Sequence, residues 1–340
     1  RDTIDAWRMW DPTAQASSAD STVSFDDEAL VGVELDPDYA SNHLMALYGL
    51  VDPIKVKGFN WLILTPTWKV GINKDLPFID SDASTTIPSS ELNRIAMSAR
   101  EAGIKVALYP QLIFPSDAAS WWNNSLKSMI WWQQWYAEYE RMTMHAIKLA
   151  TTIKADHLIL GGPDVANTYP GAMETVGENF GTPKTSEKIW TDLLTKTDEY
   201  YEGQVLLAQE VASDSLASYS FYEKAHGFYL LFNSDVNSSG TYTADTVGSF
   251  IDSVVYSFYE SQQKPVYLGL NAPSFATTDM SGSDHSESII SSTNVAYNSY
   301  NVDLESQTEF YLAYLNAISS RGWVSGIASR GYFPAMQMTD

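Results

Sequence analysis

The chain has 340 residues, 44% of them hydrophobic, which suffices for one large α/β domain with a sizeable core. Its 42 acidic side chains outnumber the 20 basic ones, and the formal charge of −22 repels nucleic-acid phosphates and anionic lipid alike. No apolar run reaches the roughly 18 residues that a membrane-spanning helix needs. The lack of cysteine excludes disulfides, thiolate metal sites and cysteine nucleophiles.

A polar arm over residues 1–28 precedes a single predicted domain over residues 29–340. The chain opens at Arg1 without a signal-like stretch, which reads as a start removed by processing or trimming. Apolar runs then alternate with helical patterns. The predicted strands are "ALVGVEL", "FNWLILTPTW", "IKVALYPQLIF", "DHLILGG", "QVLLAQEV", "GFYLLFN", "PVYLGLNAPS" and "WVSGIASRGYF". Most are continuous apolar runs, as expected of parallel strands buried on both faces.

Between them, "SSELNRIAMSAREAG" predicts a helix with a serine cap and a stop at Gly103. A second helix runs from about Ser186 to Tyr201. A third begins at an Asp303 cap, buries Phe310, Tyr311, Tyr314, Leu315 and Ile318, and stops at Gly322. The aromatic stretch "SLKSMIWWQQWYAEYERM" predicts a helix from near Ser125. Its Trp131, Trp132 and Trp135 share faces with residues that pack on the sheet. Eight strands with intervening helices make a (β/α)8 TIM barrel. The sequence stops soon after the last strand, so the closing eighth helix is expected either to be absent or to lie in a segment beyond Asp340, and residues 276–302 read as a long polar loop after strand seven.

In order and spacing, "FNWLILTPTW", "GIKVALYPQL", "WYAEYERMTMHAIKLATTIKADHLILGG", "KPVYLGLNAPS" and "DLESQTEFYLAYLNAISSRGWVSGIASRGYFP" resemble the TIM-barrel glycoside hydrolases. The resemblance is to the endo-β-mannanase-like branch of the large retaining clan and covers residues 55–335. It implies an acid/base glutamate at the end of strand four and a nucleophilic glutamate at the end of strand seven. Here strand four ends with Asp164 close by, strand seven ends in Leu270-Asn271, and strand eight carries Arg330.

Glycoside hydrolysis needs two carboxylates, about 5–5.5 Å apart for retention and wider for inversion. The carboxylates expected at C-terminal strand ends are Glu34, Asp36, Asp164, Glu210 and Asp235. Of these, Glu210 closes an apolar strand, where burial would raise its pKa toward general-acid use. Asp164 follows a Gly-Gly-Pro turn that would hold it over the barrel mouth, so Glu210 and Asp164 form the predicted catalytic pair. The competing reading has each carboxylate simply hydrogen-bonded to Arg330 or a loop amide.

Trp121 and Trp122 sit in a predicted loop on the active face, and Trp68 follows strand two, so all three are candidates for stacking on sugar rings. Local packing is the alternative for the first two. Tyr109, Gln111, Asn233, Asn271 and Arg330 are the candidate hydrogen-bonding residues for a polysaccharide or oligosaccharide. The five scattered histidines show no metal-ligand spacing, and neither a metal nor a cofactor is expected.

Three functions fit these residues. They are a glycoside hydrolase with a relocated carboxylate pair, a non-catalytic glycan-binding barrel, and a structural or assembly subunit that associates with itself. An acidic, lysine-poor, Ser/Thr/Tyr-rich chain without cysteine reads as extracellular or cell-surface; the sequons at Asn123 and Asn237 are no more than chance supplies at this length.

Overall fold

The structure is a computed structural model that describes residues 29–37, 47, 49–81, 86–211, 215–233, 243–272 and 304–332. The predicted arm, the loop at 276–302, Asp235, Asp303, the Asn237 sequon and the segment after Tyr332 lie outside the described residues.

The strands are β1 (Leu30–Leu35), β2 (Trp61–Leu64), β3 (Thr67–Asn73), β4 (Leu76–Asp80), β5 (Lys105–Leu108), β6 (Gln111–Ile113), β7 (His157–Gly161), β8 (Gln204–Glu210), β9 (Gly227–Asn233), β10 (Val266–Asn271) and β11 (Val324–Tyr332). The helices are α1 (Val51–Val56), α2 (Ser89–Glu101), α3 (Ala118–Asn124), α4 (Met129–Ile153), α5 (Ser186–Tyr200), α6 (Ala244–Phe250), α7 (Tyr256–Gln262) and α8 (Leu304–Ile318). A π-helical turn over Ile251–Val255 joins α6 to α7.

Eight parallel strands close a barrel in the order β1-β2-β5-β7-β8-β9-β10-β11, with β11 pairing back onto β1. Each of the eight predicted apolar runs supplies one of them. The three remaining strands form a side sheet in the order β4-β3-β6, which the sequence reading did not separate. Two prolines explain the split. Pro66 ends β2 and Pro110 ends β5, and both chains then run on side by side as β3 and β6. Proline lacks the amide donor a ladder needs, so both strands leave the barrel at matching heights. The β3–β4 hairpin turns through Lys74 and Asp75, both at positive φ (48° and 64°).

Helix ends differ from expectation in detail. Pro88, not a serine, caps α2, while Gly103 (φ 80°) follows it as predicted. The aromatic helix α4 starts at Met129, where the Ser128 hydroxyl accepts from Trp131 N at 3.1 Å. Trp121 and Trp122 belong to the separate short helix α3, capped by Asp117.

Strand alternation sorts the core into two shells. Leu62, Leu64, Val106, Leu108, Leu158, Leu160 and their equivalents face the helices. The other parity fills the barrel interior with Trp61, Ile63, Tyr109, Tyr229, Leu231 and Tyr267, among others. So many rings fit only beside very small neighbours. A Cβ at Gly32 would lie 2.2 Å from the Trp61 carbonyl oxygen, and interior positions 107, 208 and 328 are alanine.

At the barrel floor, His157 packs edge-on against Trp61 (5.7 Å) and against Tyr267 (5.7 Å). It is 4% exposed, and its Nδ1 has no partner among the described residues. Burial lowers its pKa from 6.5 to about 4. Between those values the unfolded chain binds a proton that the folded barrel refuses, so stability falls as pH drops through this window. Urea titrations from pH 7 to pH 4 should show that decline, approaching about 3 kcal/mol by pH 4. His157→Phe, which keeps the ring contacts, should flatten it; an equally steep decline in the variant would contradict this assignment.

Candidate active site

The interior parity carries Glu34 of β1, Tyr109 after β5, Glu210 of β8, Asn271 of β10 and Arg330 of β11 to the C-terminal end of the barrel, where barrel enzymes build their sites. Asn233, the last residue of β9, is the backbone register partner of Asn271. A depression of about 990 Å³ opens at the opposite end, beside Lys105, His157 and Gln204 at strand starts. It lies on the face that serves stability in this architecture, so the mouth is the candidate site.

The floor of the mouth is a buried polar cluster. The Tyr229 hydroxyl donates to Glu34 Oε2 at 2.6 Å, and Arg330 Nε approaches both Glu34 carboxylate oxygens at 3.3 and 3.4 Å. Glu34 is 1% exposed and Arg330 8%. Gly269 makes room for them, because a Cβ there would lie 2.5 Å from Tyr229 Oη and 2.9 Å from Arg330 Cδ. Tyr109 packs edge-on to Tyr229 at 6.0 Å. Burial pushes its phenol well above the ordinary value; Arg330 opposes that shift, while Glu34 and Asp164 add to it.

Asp164 stands on a rigid turn. Gly161 and Gly162 both adopt positive φ (85° and 106°). A side chain there would strike the Tyr169 hydroxyl at 2.6 Å and the Tyr109 hydroxyl at 2.5 Å, respectively. Pro163 then starts a 3-10 turn to Thr168, with Asp164 half-buried in its first turn. Asp164 follows β7 and Glu210 closes β8, its neighbour, so the predicted pair comes to one side of the mouth.

Several expectations need correction. Glu210 is exposed, because the apolar run of β8 ends at Ala208 and the strand emerges into solvent. Arg330 is not offered to a ligand but is buried against Glu34, a carboxylate that the reading of strand ends named without choosing. Trp68 is 4% exposed and packs edge-on against His145 of α4 at 5.7 Å, so its faces are covered. Trp121 and Trp122 are 5% and 1% exposed. They join Trp131, Trp132 and Trp135 in one cluster, with Trp122 and Trp135 only 4.7 Å apart. Tyr109 and Gln111 are buried too, the latter in β6. Asn271 is half-buried at the rim.

Tyr229 was missed as a site residue because in "GFYLLFN" it reads as one more apolar strand position. Among the described residues no group of three or more His, Asp or Glu could hold a metal ion. No described helix is long and apolar enough to cross a membrane.

Solved structures share this architecture. A β-1,4-mannanase of glycoside hydrolase family 113, solved as a complex, superposes with a TM-score of 0.66 at 16% identity, over 90% of this chain and 89% of that one. The family 113 β-mannanase from Alicyclobacillus acidocaldarius gives 0.62 at 16% identity over 92% and 90%. The family 53 catalytic domain from Ignisphaera aggregans gives 0.51 at 14% identity over 92% and 86%. These likenesses show a TIM-barrel fold. No curated protein matches the chain. The profile of Glycoside Hydrolase Family 113 matches residues 48–332, and the chain belongs to that family. The mannanase-like resemblance read from the sequence is thereby borne out. At the two ends where that resemblance implies glutamates, the structure has the Gly161–Asp164 turn and Asn271.

The Glu34–Arg330 pair yields a direct test. Removing one partner of a buried pair leaves an uncompensated charge, at a cost of about 3–5 kcal/mol. Arg330→Met should lower unfolding stability by that order in urea, and the double variant Glu34→Gln/Arg330→Met should recover part of the loss. Equal losses in the two variants would mean that the charges are not coupled.

Proposed function

We propose that this protein hydrolyses a β-linked polysaccharide at the C-terminal mouth of its barrel, with Glu210 as general acid and Asp164 as the second carboxylate. The observation that carries this reading is the placement of those carboxylates at the ends of adjacent strands in a chain of Family 113. The family 113 neighbours described as β-1,4-mannanases favour a mannan-type substrate. A carboxylic acid at 210 would protonate the leaving glycosidic oxygen. The ionised carboxylate at 164 would then attack the anomeric carbon or activate a water, depending on their separation around the bound sugar. Asn271 has neither charge nor proton to transfer, and its amide suits hydrogen bonding to sugar hydroxyls. A polymeric substrate also agrees with a place outside the cell.

Reducing-end release should be measured on β-mannan, β-glucan, xylan and α-glucans. Turnover should appear on a β-linked polymer and fall by about 10²-fold or more in Glu210→Gln and in Asp164→Asn. Turnover untouched by both substitutions would overturn the residue assignment. Saccharide binding without turnover on any polymer would overturn hydrolysis and favour a glycan-binding barrel.

A further inference from the structure

The tryptophan cluster of α3 and α4 is buried beside the turn that carries Asp164. Four indoles surround Trp122: Trp135 at 4.7 Å, Trp121 at 5.2 Å, Trp131 at 5.8 Å and Trp132 at 6.0 Å between ring centres. Lys127, 3% exposed, places its ammonium 5.9 Å from the Trp122 ring and 5.6 Å from that of Trp131. It also donates to the Trp122 and Ser125 carbonyls. Trp122 is thus fixed on all sides.

The indole N–H groups are not equivalent. Those of Trp121, Trp131 and Trp135 have no partner among the described residues, and that of Trp132 reaches the Phe180 carbonyl at 3.0 Å. Trp122 Nε1 donates to the backbone carbonyl of Asp164 at 2.9 Å. The rest of the turn is held in the same manner by aromatic groups. Tyr139 Oη accepts from Gly161 N at 3.2 Å, the Tyr136 hydroxyl donates to the Thr168 carbonyl at 2.8 Å, and Trp190 Nε1 donates to Thr168 Oγ1 at 3.1 Å. Of these contacts, only the one from Trp122 falls on the residue that bears the carboxylate.

We infer that Trp122 is a positioning residue: the tryptophan cluster is a rigid mount whose single indole N–H to the Asp164 carbonyl sets the height and direction of that carboxylate at the barrel mouth. A carboxylate displaced by a fraction of an ångström loses its alignment with the anomeric carbon while the sugar-binding surface is untouched. The inference deepens the proposed role of Asp164 and rests on it for its catalytic consequence.

Two variants of the intact chain separate positioning from packing. Trp122→Phe retains a ring and removes the N–H to Asp164. Trp131→Phe removes the same atoms from the same cluster, where the N–H has no partner among the described residues. Backbone amide exchange over residues 161–168 should rise about fivefold in Trp122→Phe, the effect of one lost hydrogen bond, and stay unchanged in Trp131→Phe. On a hydrolysed polymer, kcat should fall about tenfold or more in Trp122→Phe at unchanged KM, and remain near wild type in Trp131→Phe. Equal exchange in the two variants would overturn the inference, as would equal kcat losses. If the wild-type protein hydrolyses nothing, the catalytic reading of Asp164 falls, and exchange alone still decides whether Trp122 holds the turn.

Discussion

The mouth is organised from below by one buried charge pair. Taking Glu34 and Arg330 out of water is costly, and a pair of this kind persists only where its remaining hydrogen-bonding capacity is met. Tyr229 meets part of it across the barrel from β9, while the pair itself joins β1 to β11, the first and last strands of the closed sheet. Gly269 is the space in which they meet. With these side chains filling it, the barrel has no open axis below Tyr109.

That filling separates the carboxylates of the strand ends by depth. Glu34 lies at the right end of the barrel but is sealed under the rim. Asp164 is lifted above the floor by the Gly161–Gly162 turn, which alone can pass the Tyr109 and Tyr169 hydroxyls at such close range. Glu210 emerges where β8 outlasts its apolar run. The rim therefore combines one mounted carboxylate with one solvated carboxylate on adjacent strands. Family 113 membership and the strand-seven amide stand together here: the architecture is retained while the end of β10 carries Asn271.

The aromatic wealth of the chain serves mainly to stiffen. Edge-to-face indole contacts build a cluster between α3 and α4, with Lys127 buried among the rings. Its rings are too enclosed to meet a sugar, yet they bear on the site through the turn that carries Asp164. A second group, built around Trp190, Tyr169 and Phe221, supports the far end of the same turn. Rigidity at the mouth thus comes from side chains one layer behind it.

Much of the fold was legible in one dimension. Continuous apolar runs separated by amphipathic helices set the eight strands and their order, because parallel strands buried on both faces cannot alternate. The side sheet was not, since "FNWLILTPTW" and "IKVALYPQLIF" read as single strands, and the turn at Lys74-Asp75 lacks the glycine that normally announces a hairpin. The site was legible as a place and as residue types. Period-two alternation puts Glu34, Glu210, Asn271 and Arg330 at inward positions once the strand ends are known. Exposure, pairing and support were decided only in three dimensions. Trp68, Trp121 and Trp122 lose their faces to neighbours distant in sequence, Arg330 finds Glu34 across 296 positions, and Trp122 reaches Asp164 across 42. Sequence determines which groups a strand or helix presents. Which of them meet water, and which meet each other, depends on barrel closure, where contacts far apart along the chain become nearest neighbours.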